Sequence, residues 1–235
     1  MSHLFVSNLA FASLFLLTAC DRKPAAVTTD VPWNASITYG TMTDSRDELV
    51  YKTVRIGKQT WLAQNLNFAG AGNAEAGVWN NRNADSGAKY GRLYRWSDAM
   101  GLDKSTTTTT WGGSDLKHQG VCPVGWHLPS DKDWSLLTDT ILAPSKAGRD
   151  LKSSTGWFPN GTGSGNGSDA SGFRALPGGN LAAAFEVTGE NAAFWSATEG
   201  FADYAWFRII YNGSSLVHRF CSSKTYGFSV RCLQN

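Results

Sequence analysis

The stretch Phe194–Glu199 (FWSATE) places a serine, a threonine and a carboxylate beside two large aromatic residues, a grouping that could support hydrolytic chemistry. A nucleophilic serine needs a strained glycine elbow or a positioned base, and no G-x-S-x-G pattern surrounds Ser196. The four histidines of the chain are His3, His118, His127 and His218. Only His118 has no other predicted role, and nothing in the sequence places it near Ser196. We therefore expect FWSATE to be architectural, with Trp195 filling the core, and we predict no catalytic residue.

Thiols and metal ligands are the next candidates for chemistry. The four cysteines are Cys20, Cys122, Cys221 and Cys232. If Cys20 is acylated, the other three allow one disulfide in three ways and leave one free thiol. His, Cys, Asp and Glu do not cluster at ligand spacing, so we predict no metal site and no cofactor.

The glycine-rich segment 160–169 invites comparison with phosphate-binding and calcium-binding loops. No strand precedes it, no amphipathic helix follows it, and the acidic spacing of a calcium loop is missing. It is predicted to be a flexible surface loop.

A β-hairpin over 204–220 is the stretch best suited to binding a ligand. Residues 204–211 alternate as a strand, Asn212-Gly213 is typical of a two-residue type I′ turn, and 214–220 is the partner strand. With that turn, Trp206 lies opposite Arg219. One face then holds an apolar set, with His218 beside it: Phe207, Ile209, Leu216 and Phe220. The other face holds the predicted ligand-binding residues, Tyr204, Trp206, Arg208 and Arg219.

A glycan is the ligand expected on that second face. Aromatic rings stack on sugar rings, and arginine supplies hydrogen-bond donors in a fixed geometry. The alternative is that the long loops of residues 65–120 cover the face, so that it is simply core. Solvent exposure of Trp206 and Arg219 would distinguish the two.

The first residues indicate export rather than fold. The chain is apolar from Leu9 to Leu17 and continues with small residues to Cys20, a pattern typical of a signal peptide and too short to span a bilayer. Leu17–Cys20 resembles the bacterial lipobox, in which the cysteine becomes the lipid-modified N-terminus. An ordinary signal peptide followed by a cysteine is the alternative. We predict a signal peptide at 1–19, acylation of Cys20, a flexible tether at 20–43 and one domain at 44–235. The protein would then be an exported, membrane-anchored lipoprotein of a bacterial cell envelope.

Composition and periodicity indicate an α+β domain that is rich in β-structure. The 235 residues include 10 Trp and 25 Gly but only 3 Met, which suits a loop-rich domain with an aromatic core better than a helical bundle. The net charge of +2 is too small to indicate nucleic-acid binding. Residues 49–56 and 59–63 flank Gly57-Lys58 as a hairpin, and 65–91 is predicted to be irregular.

One clear helix is predicted at 130–142. Ser130 can cap its first amides, and Asp133 stands where a capping box places its acidic residue. Trp134, Leu137 and Ile141 share one face at helical spacing, so that face should be core. Pro144 should end the helix.

Five segments of the chain, taken in order, form a specific pattern. They are 51–61 (YKTVRIGKQTW), 122–130 (CPVGWHLPS), 172–177 (GFRALP), 194–199 (FWSATE) and 227–232 (GFSVRC). Together they closely resemble the Fibrobacter succinogenes major paralogous domain. The resemblance implies an exported bacterial domain, often on lipoproteins, that is related to the C-type lectin-like fold. It implies no established activity and transfers no catalytic residue, and the Glu-Pro-Asn and Trp-Asn-Asp calcium signatures of true lectins are missing here.

The resemblance also implies a pairing of the cysteines. As in C-type lectin-like domains, Cys122 would bridge to Cys232, leaving Cys221 as a free thiol through which a dimer could form. The wider fold includes formylglycine-generating enzymes, so a copper–thiolate pair of Cys221 and Cys232 is the enzyme alternative, although their separation does not match that family's close pair.

The function we expect is therefore that of a non-catalytic, lipid-tethered envelope protein that binds an extracellular glycan or protein and no nucleic acid. A purely structural envelope component and the copper oxidase are the alternatives.

Overall fold

The computed structural model describes residues 31–70, 78–79, 84–141, 144–161, 163–182 and 188–235. The strands are β1 Gly40–Thr43, β2 Val50–Ile56, β3 Gln59–Leu62, β4 Val78–Trp79, β5 Arg92–Tyr94, β6 Trp126–His127, β7 Asn191–Phe201, β8 Tyr204–Tyr211, β9 His218–Ser223, β10 Phe228–Ser229 and β11 Leu233–Gln234. The helices are α1 Ala84–Tyr90, α2 Trp96–Met100, α3 Asp131–Thr140 and α4 Ala147–Leu151, with 3₁₀ turns at Lys104–Thr107 and Pro144–Lys146. This β-rich composition with few helices agrees with the predicted α+β class. The predicted signal peptide and Cys20 lie outside the described residues.

Two sheets form the domain. The first has the strand order β1-β2-β3-β11-β6, and the second has the order β4-β5-β10-β7-β8-β9. The described strand pairs are antiparallel except β7 with β10, which run parallel. Because β9 is the last strand of the second sheet, its outer edge has no strand partner within the described residues.

The hairpin predicted from 49 to 63 is confirmed. Ile56 pairs with Gln59 across the two-residue turn, and the pairing continues to Thr53 with Leu62. Gly57 occupies the left-handed region at φ 60°, which a side chain would disfavour.

The domain begins earlier than the predicted boundary at residue 44. β1 pairs with β2 along its whole length. Val31 is buried, and its carbonyl accepts a hydrogen bond from the buried guanidinium of Arg174, which lies 4.1 Å from the ring centroid of Trp33. The prediction of a free tether is therefore wrong for 31–43. The large residues of this stretch are isolated and aperiodic, so no sequence pattern indicated that they pack against the domain.

Short regular elements also occur where irregular chain was predicted. β4 and α1 lie within 65–91, and β5 and α2 follow directly. α1 has seven residues, and α2 and α4 have five each. Helices this short are marginal on their own, so tertiary packing must stabilise them.

The predicted capping box of α3 is confirmed. The Ser130 hydroxyl accepts from the amide of Asp133 at 3.2 Å, and the Asp133 carboxylate accepts from the amide of Ser130 at 2.9 Å. The three residues predicted for its core face, Trp134, Leu137 and Ile141, are buried. The helix ends at Thr140, so Pro144 does not terminate it but begins a 3₁₀ turn.

The β7–β8 pair separates two hydrophobic cores. Trp195 lies opposite Phe207, and both face a core that includes Phe228 and the disulfide. The next residue back, Phe194, faces the other core, which includes Trp134 of α3. Successive residues of a strand point to opposite sides of a sheet, which explains the division. Both aromatic residues of FWSATE are fully buried, as predicted for Trp195.

Cys122 and Cys232 form a disulfide with a Cα–Cα distance of 5.9 Å, and Cys221 is free. The pairing implied by the family resemblance is confirmed. For the sequence separation of 110 residues, the chain-entropy model gives about 4–5 kcal/mol of stabilisation.

Among the described helices, none has the length and apolar character needed to cross a membrane.

Candidate functional site

The hairpin of β8 and β9 has a different register from the predicted one. Arg208 lies opposite Arg219, and Trp206 lies opposite Cys221. A turn does form at Asn212-Gly213, where the amide of Ser214 donates to the carbonyl of Tyr211 at 3.2 Å, but neither residue has the positive φ of a type I′ turn. The prediction that this turn joins the strands directly is wrong, because six residues, 212–217, connect them. The register has shifted by two, and an even shift keeps every side chain on its predicted face.

The connection is longer because other parts of the domain hold its backbone. The amides of Gly148 and Arg149 both donate to the carbonyl of Ser215. The buried ammonium of Lys152 lies within hydrogen-bond distance of four carbonyl oxygens: Gly165 at 2.9 Å and Tyr211, Asn212 and Ser214 at 3.2 Å each. The 160–169 loop is thus tied to the hairpin at Gly165, so the prediction of a free surface loop is wrong there.

We call the face that carries Tyr204, Trp206, Arg208 and Arg219 the arginine face. Arg208 is only 3% exposed. Its guanidinium donates to the Asp131 carboxylate at 2.6 Å, to the Asp131 carbonyl at 3.1 Å and to the Ser135 hydroxyl at 3.2 Å. The N-terminus of α3 therefore covers Arg208. The sequence suggested that Arg208 binds a ligand, but in the structure its guanidinium is not available to one.

Arg219 is 46% exposed but is also engaged. Its Nε donates to both carboxylate oxygens of Asp131, at 2.9 and 3.0 Å. The guanidinium carbon lies 3.4 Å from the centroid of the Trp206 ring, so one side of that ring is already covered. Of the four predicted residues, Tyr204 is exposed without a comparable cover, at 41%.

Asp131 is the anion that holds the arginine face together. Burial acts to raise its pKa, but hydrogen bonds from Arg219 and Arg208 outweigh burial and leave the pKa below the ordinary value of 3.8. The carboxylate is therefore charged at neutral pH and bridges two cations.

Cys221 lies on the same face as a half-buried thiol. A Cβ atom added to Gly200 would come within 2.8 Å of its sulfur, so the β7 backbone approaches it closely. Burial raises the pKa of the thiol, which disfavours the reactive thiolate. Because Cys232 is in the disulfide, the copper–thiolate pair of Cys221 and Cys232 is not formed.

The opposite face carries a feature that the sequence analysis did not identify as a site. Tyr211, His218 and Phe220 form what we call the aromatic row. The ring centroids of Tyr211 and His218 are 5.5 Å apart, and those of His218 and Phe220 are 6.0 Å apart with an interplanar angle of 5°. Tyr211 is 39% and Phe220 is 48% exposed. Phe207 lies beneath Phe220, with 6.3 Å between centroids, and belongs to the core.

The row was missed because two of its residues, His218 and Phe220, were assigned to an inward apolar face. That face is buried at Phe207 and Ile209 but emerges into solvent on β9, the last strand. The available signal was the alternation that places His218 and Phe220 on the same face of β9. Only the strand order, which puts β9 at the edge of the sheet, shows that this face is exposed there.

The FWSATE polar groups are engaged within the domain. The Ser196 hydroxyl donates to the carbonyl of Trp206 at 2.9 Å, while His118 bonds the carbonyl of Met100 instead. Glu199 accepts from the buried Lys224 ammonium at 2.5 Å. In the described part of the chain, no group of three or more His, Cys, Asp or Glu side chains is arranged to hold a metal ion.

These features define a β-rich domain, closed by a disulfide, whose last hairpin offers the candidate binding surface. The family model described as the Fibrobacter succinogenes major domain matches residues 54–234. The chain therefore belongs to this family, as the five segments predicted. No curated protein and no solved structure matched the chain.

Proposed function

We propose that this chain is a non-catalytic glycan-binding module of the bacterial cell envelope, with a fold related to C-type lectin-like domains. The observation that carries the proposal is the aromatic row, in which two of three neighbouring rings keep a large part of their surface in solvent. Contiguous exposed apolar groups on a folded protein commonly mark an interaction site.

A sugar suits this surface chemically. One side of a pyranose ring presents C–H groups, which pack against an aromatic ring, while its hydroxyl groups need hydrogen-bond partners at the rim. The outer edge of β9 offers backbone N–H and C=O groups that no described strand uses. The hydroxyl of Ser214 is hydrogen-bonded to the His218 ring of the row at 2.9 Å, so it lies at the rim of this surface.

The arginine face supports binding less well than the sequence suggested. Arg208 is buried, and Trp206 is covered on one side by Arg219. A ligand there would have to displace contacts that the domain already makes, whereas the aromatic row presents its rings to solvent.

A glycan array with matched variants tests the proposal. Phe220→Ala removes a ring of the row, and Phe201→Ala removes an exposed ring outside it. We expect Phe201→Ala to bind as the wild type does and Phe220→Ala to lose the signal. A folded wild type that binds nothing on a broad array would contradict the proposal and favour a structural envelope component.

We also propose that the module is tethered by lipid at Cys20, following the lipobox-like Leu17–Cys20 sequence. Two or more acyl chains hold a protein stably on a membrane, whereas a single chain does so only marginally. Cys20→Ala should therefore abolish incorporation of a fatty-acid analogue and release the protein from the membrane fraction. Unchanged labelling of this variant would contradict the tether.

A further inference from the structure

Resting on the proposed function, we infer that the ligand is an uncharged, extended polysaccharide chain lying along the aromatic row, rather than an acidic glycan or a single sugar.

The arrangement of the rings indicates an extended ligand. His218 and Phe220 are two residues apart on one strand, so their spacing follows from the strand rise, and Tyr211 continues the line from the end of β8. The half-exposed rings form a strip along an edge. A site for a single small molecule is normally concave and buries most of its ligand. A strip instead contacts several units of a chain, so affinity should rise with the number of sugar units.

The charge distribution indicates a neutral ligand. Neither β8, β9 nor the 212–217 connection places an Asp, Glu, Lys or Arg side chain on the face of the row. The arginines of these strands, Arg208 and Arg219, lie on the other face and are paired with Asp131. The ammonium of Lys152 is buried among backbone carbonyls beneath the connection. On this face, a carboxylated or sulfated glycan would find no cation from these elements, so binding along the row should depend little on salt.

The row is also held in place before any ligand arrives. Lys152 and the amides of Gly148 and Arg149 hold the connection between Tyr211 and His218. A surface that is already ordered loses little conformational entropy on binding. This suits a rigid strip that relies on weak, repeated stacking contacts.

Affinity electrophoresis of the full chain tests the inference. The neutral polymers would be hydroxyethylcellulose, mixed-linkage β-glucan and galactomannan, and the acidic polymers would be polygalacturonate and alginate. We expect retardation by at least one neutral polymer, unchanged between about 50 and about 500 mM NaCl. Phe220→Ala should weaken it about ten-fold, and Phe201→Ala should leave it unchanged. Oligosaccharides of the retarding polymer should compete better as they lengthen.

The outcomes separate the inference from the proposed function. Retardation by acidic polymers alone, especially if Arg219→Gln abolishes it, would overturn the neutral ligand while leaving a glycan-binding function. Competition by a monosaccharide as strong as by the oligosaccharides would overturn the extended ligand. A folded protein that no polymer retards, and that binds nothing on the glycan array, would overturn the proposed function itself.

Discussion

Across the β8–β9 pair, Arg208 and Arg219 on one face share the carboxylate of Asp131, whereas Tyr211 and Phe220 on the other face keep much of their rings in solvent. The arginine face has the residue types that usually recognise ligands, yet their charges and one ring face are already engaged within the domain. The aromatic row has the residue types of a core, yet it lies at β9, the edge strand of the sheet, and two of its rings remain exposed.

Residue type alone therefore does not identify a binding surface in this domain. A charged group becomes available only if nothing in the fold neutralises it, and an apolar group becomes core only if another element covers it. In this domain α3 supplies the carboxylate for one face, and the position of β9 at the sheet edge leaves the other face open.

Removing the buried ring of Trp195, which packs against Phe207 in the core, should be the most damaging change. Trp195 is fully buried, and its indole N–H donates to the carbonyl of Tyr94 at 2.7 Å. Trp195→Ala should lower the free energy of unfolding by about 3–5 kcal/mol, as truncation of a buried aromatic residue does. Chemical denaturation measures this. A loss below about 1 kcal/mol would show that the core around Trp195 and Phe207 is not tightly packed.

Removing the shared carboxylate should break the arginine face. Asp131→Asn leaves the buried guanidinium of Arg208 without its charge partner, at an expected cost of about 3 kcal/mol. We place it at the lower end of the usual range because Arg208 keeps the Asp131 carbonyl and the Ser135 hydroxyl as acceptors. Arg219→Gln, which removes the exposed partner, should cost less than about 1 kcal/mol. Equal costs for the two variants would contradict the assignment of Arg208 as the buried partner.

Acid should weaken the arginine face. The folded-state pKa of Asp131 is lower than its ordinary value of 3.8, so its ion pairs stabilise the domain above about pH 4 and this stabilisation is lost as the pH falls through the folded pKa. The difference in unfolding free energy between wild type and Asp131→Asn should shrink accordingly. Burial raises the pKa of Asp169 to about 6, but that group is common to both proteins and cancels in the difference. A difference that grows towards acid pH would contradict the sign.

Truncating the row itself should affect binding far more than folding. Phe220→Ala should cost less than about 1 kcal/mol in stability, because nearly half of the side chain is already in solvent. The melting temperature should stay close to that of the wild type while glycan binding is lost. If Phe220→Ala destabilises the domain as strongly as Trp195→Ala, the row is core and the binding proposal fails.

The smallest effect is expected at Cys221. Cys221→Ser should change stability by about 0.5 kcal/mol or less, since the thiol is half-buried and has no bond to lose. The wild-type thiol should react slowly with a thiol reagent at neutral pH, because burial raises its pKa. A prominent reducible dimer band that disappears in Cys221→Ser would show instead that the thiol is accessible enough to cross-link two chains.

Local patterns were sufficient for several elements of this domain. The Gly57-Lys58 turn, the Ser130–Asp133 capping box and the burial of Trp195 depend on a few neighbouring residues, and the structure confirms each of them. The five ordered segments were sufficient to predict the family and, through it, the Cys122–Cys232 bridge.

Tertiary structure decided what the sequence left open about the candidate site. Lys152, distant in sequence, holds the 212–217 connection and thereby sets a register that the Asn212-Gly213 signal alone did not predict. Docking of α3 buries Arg208, and the strand order places β9 at the edge. Hydrophobic patterning gives the same alternation for an edge strand as for a central one, because it records which side chains share a face. Whether another element covers that face depends on contacts between segments far apart in the chain.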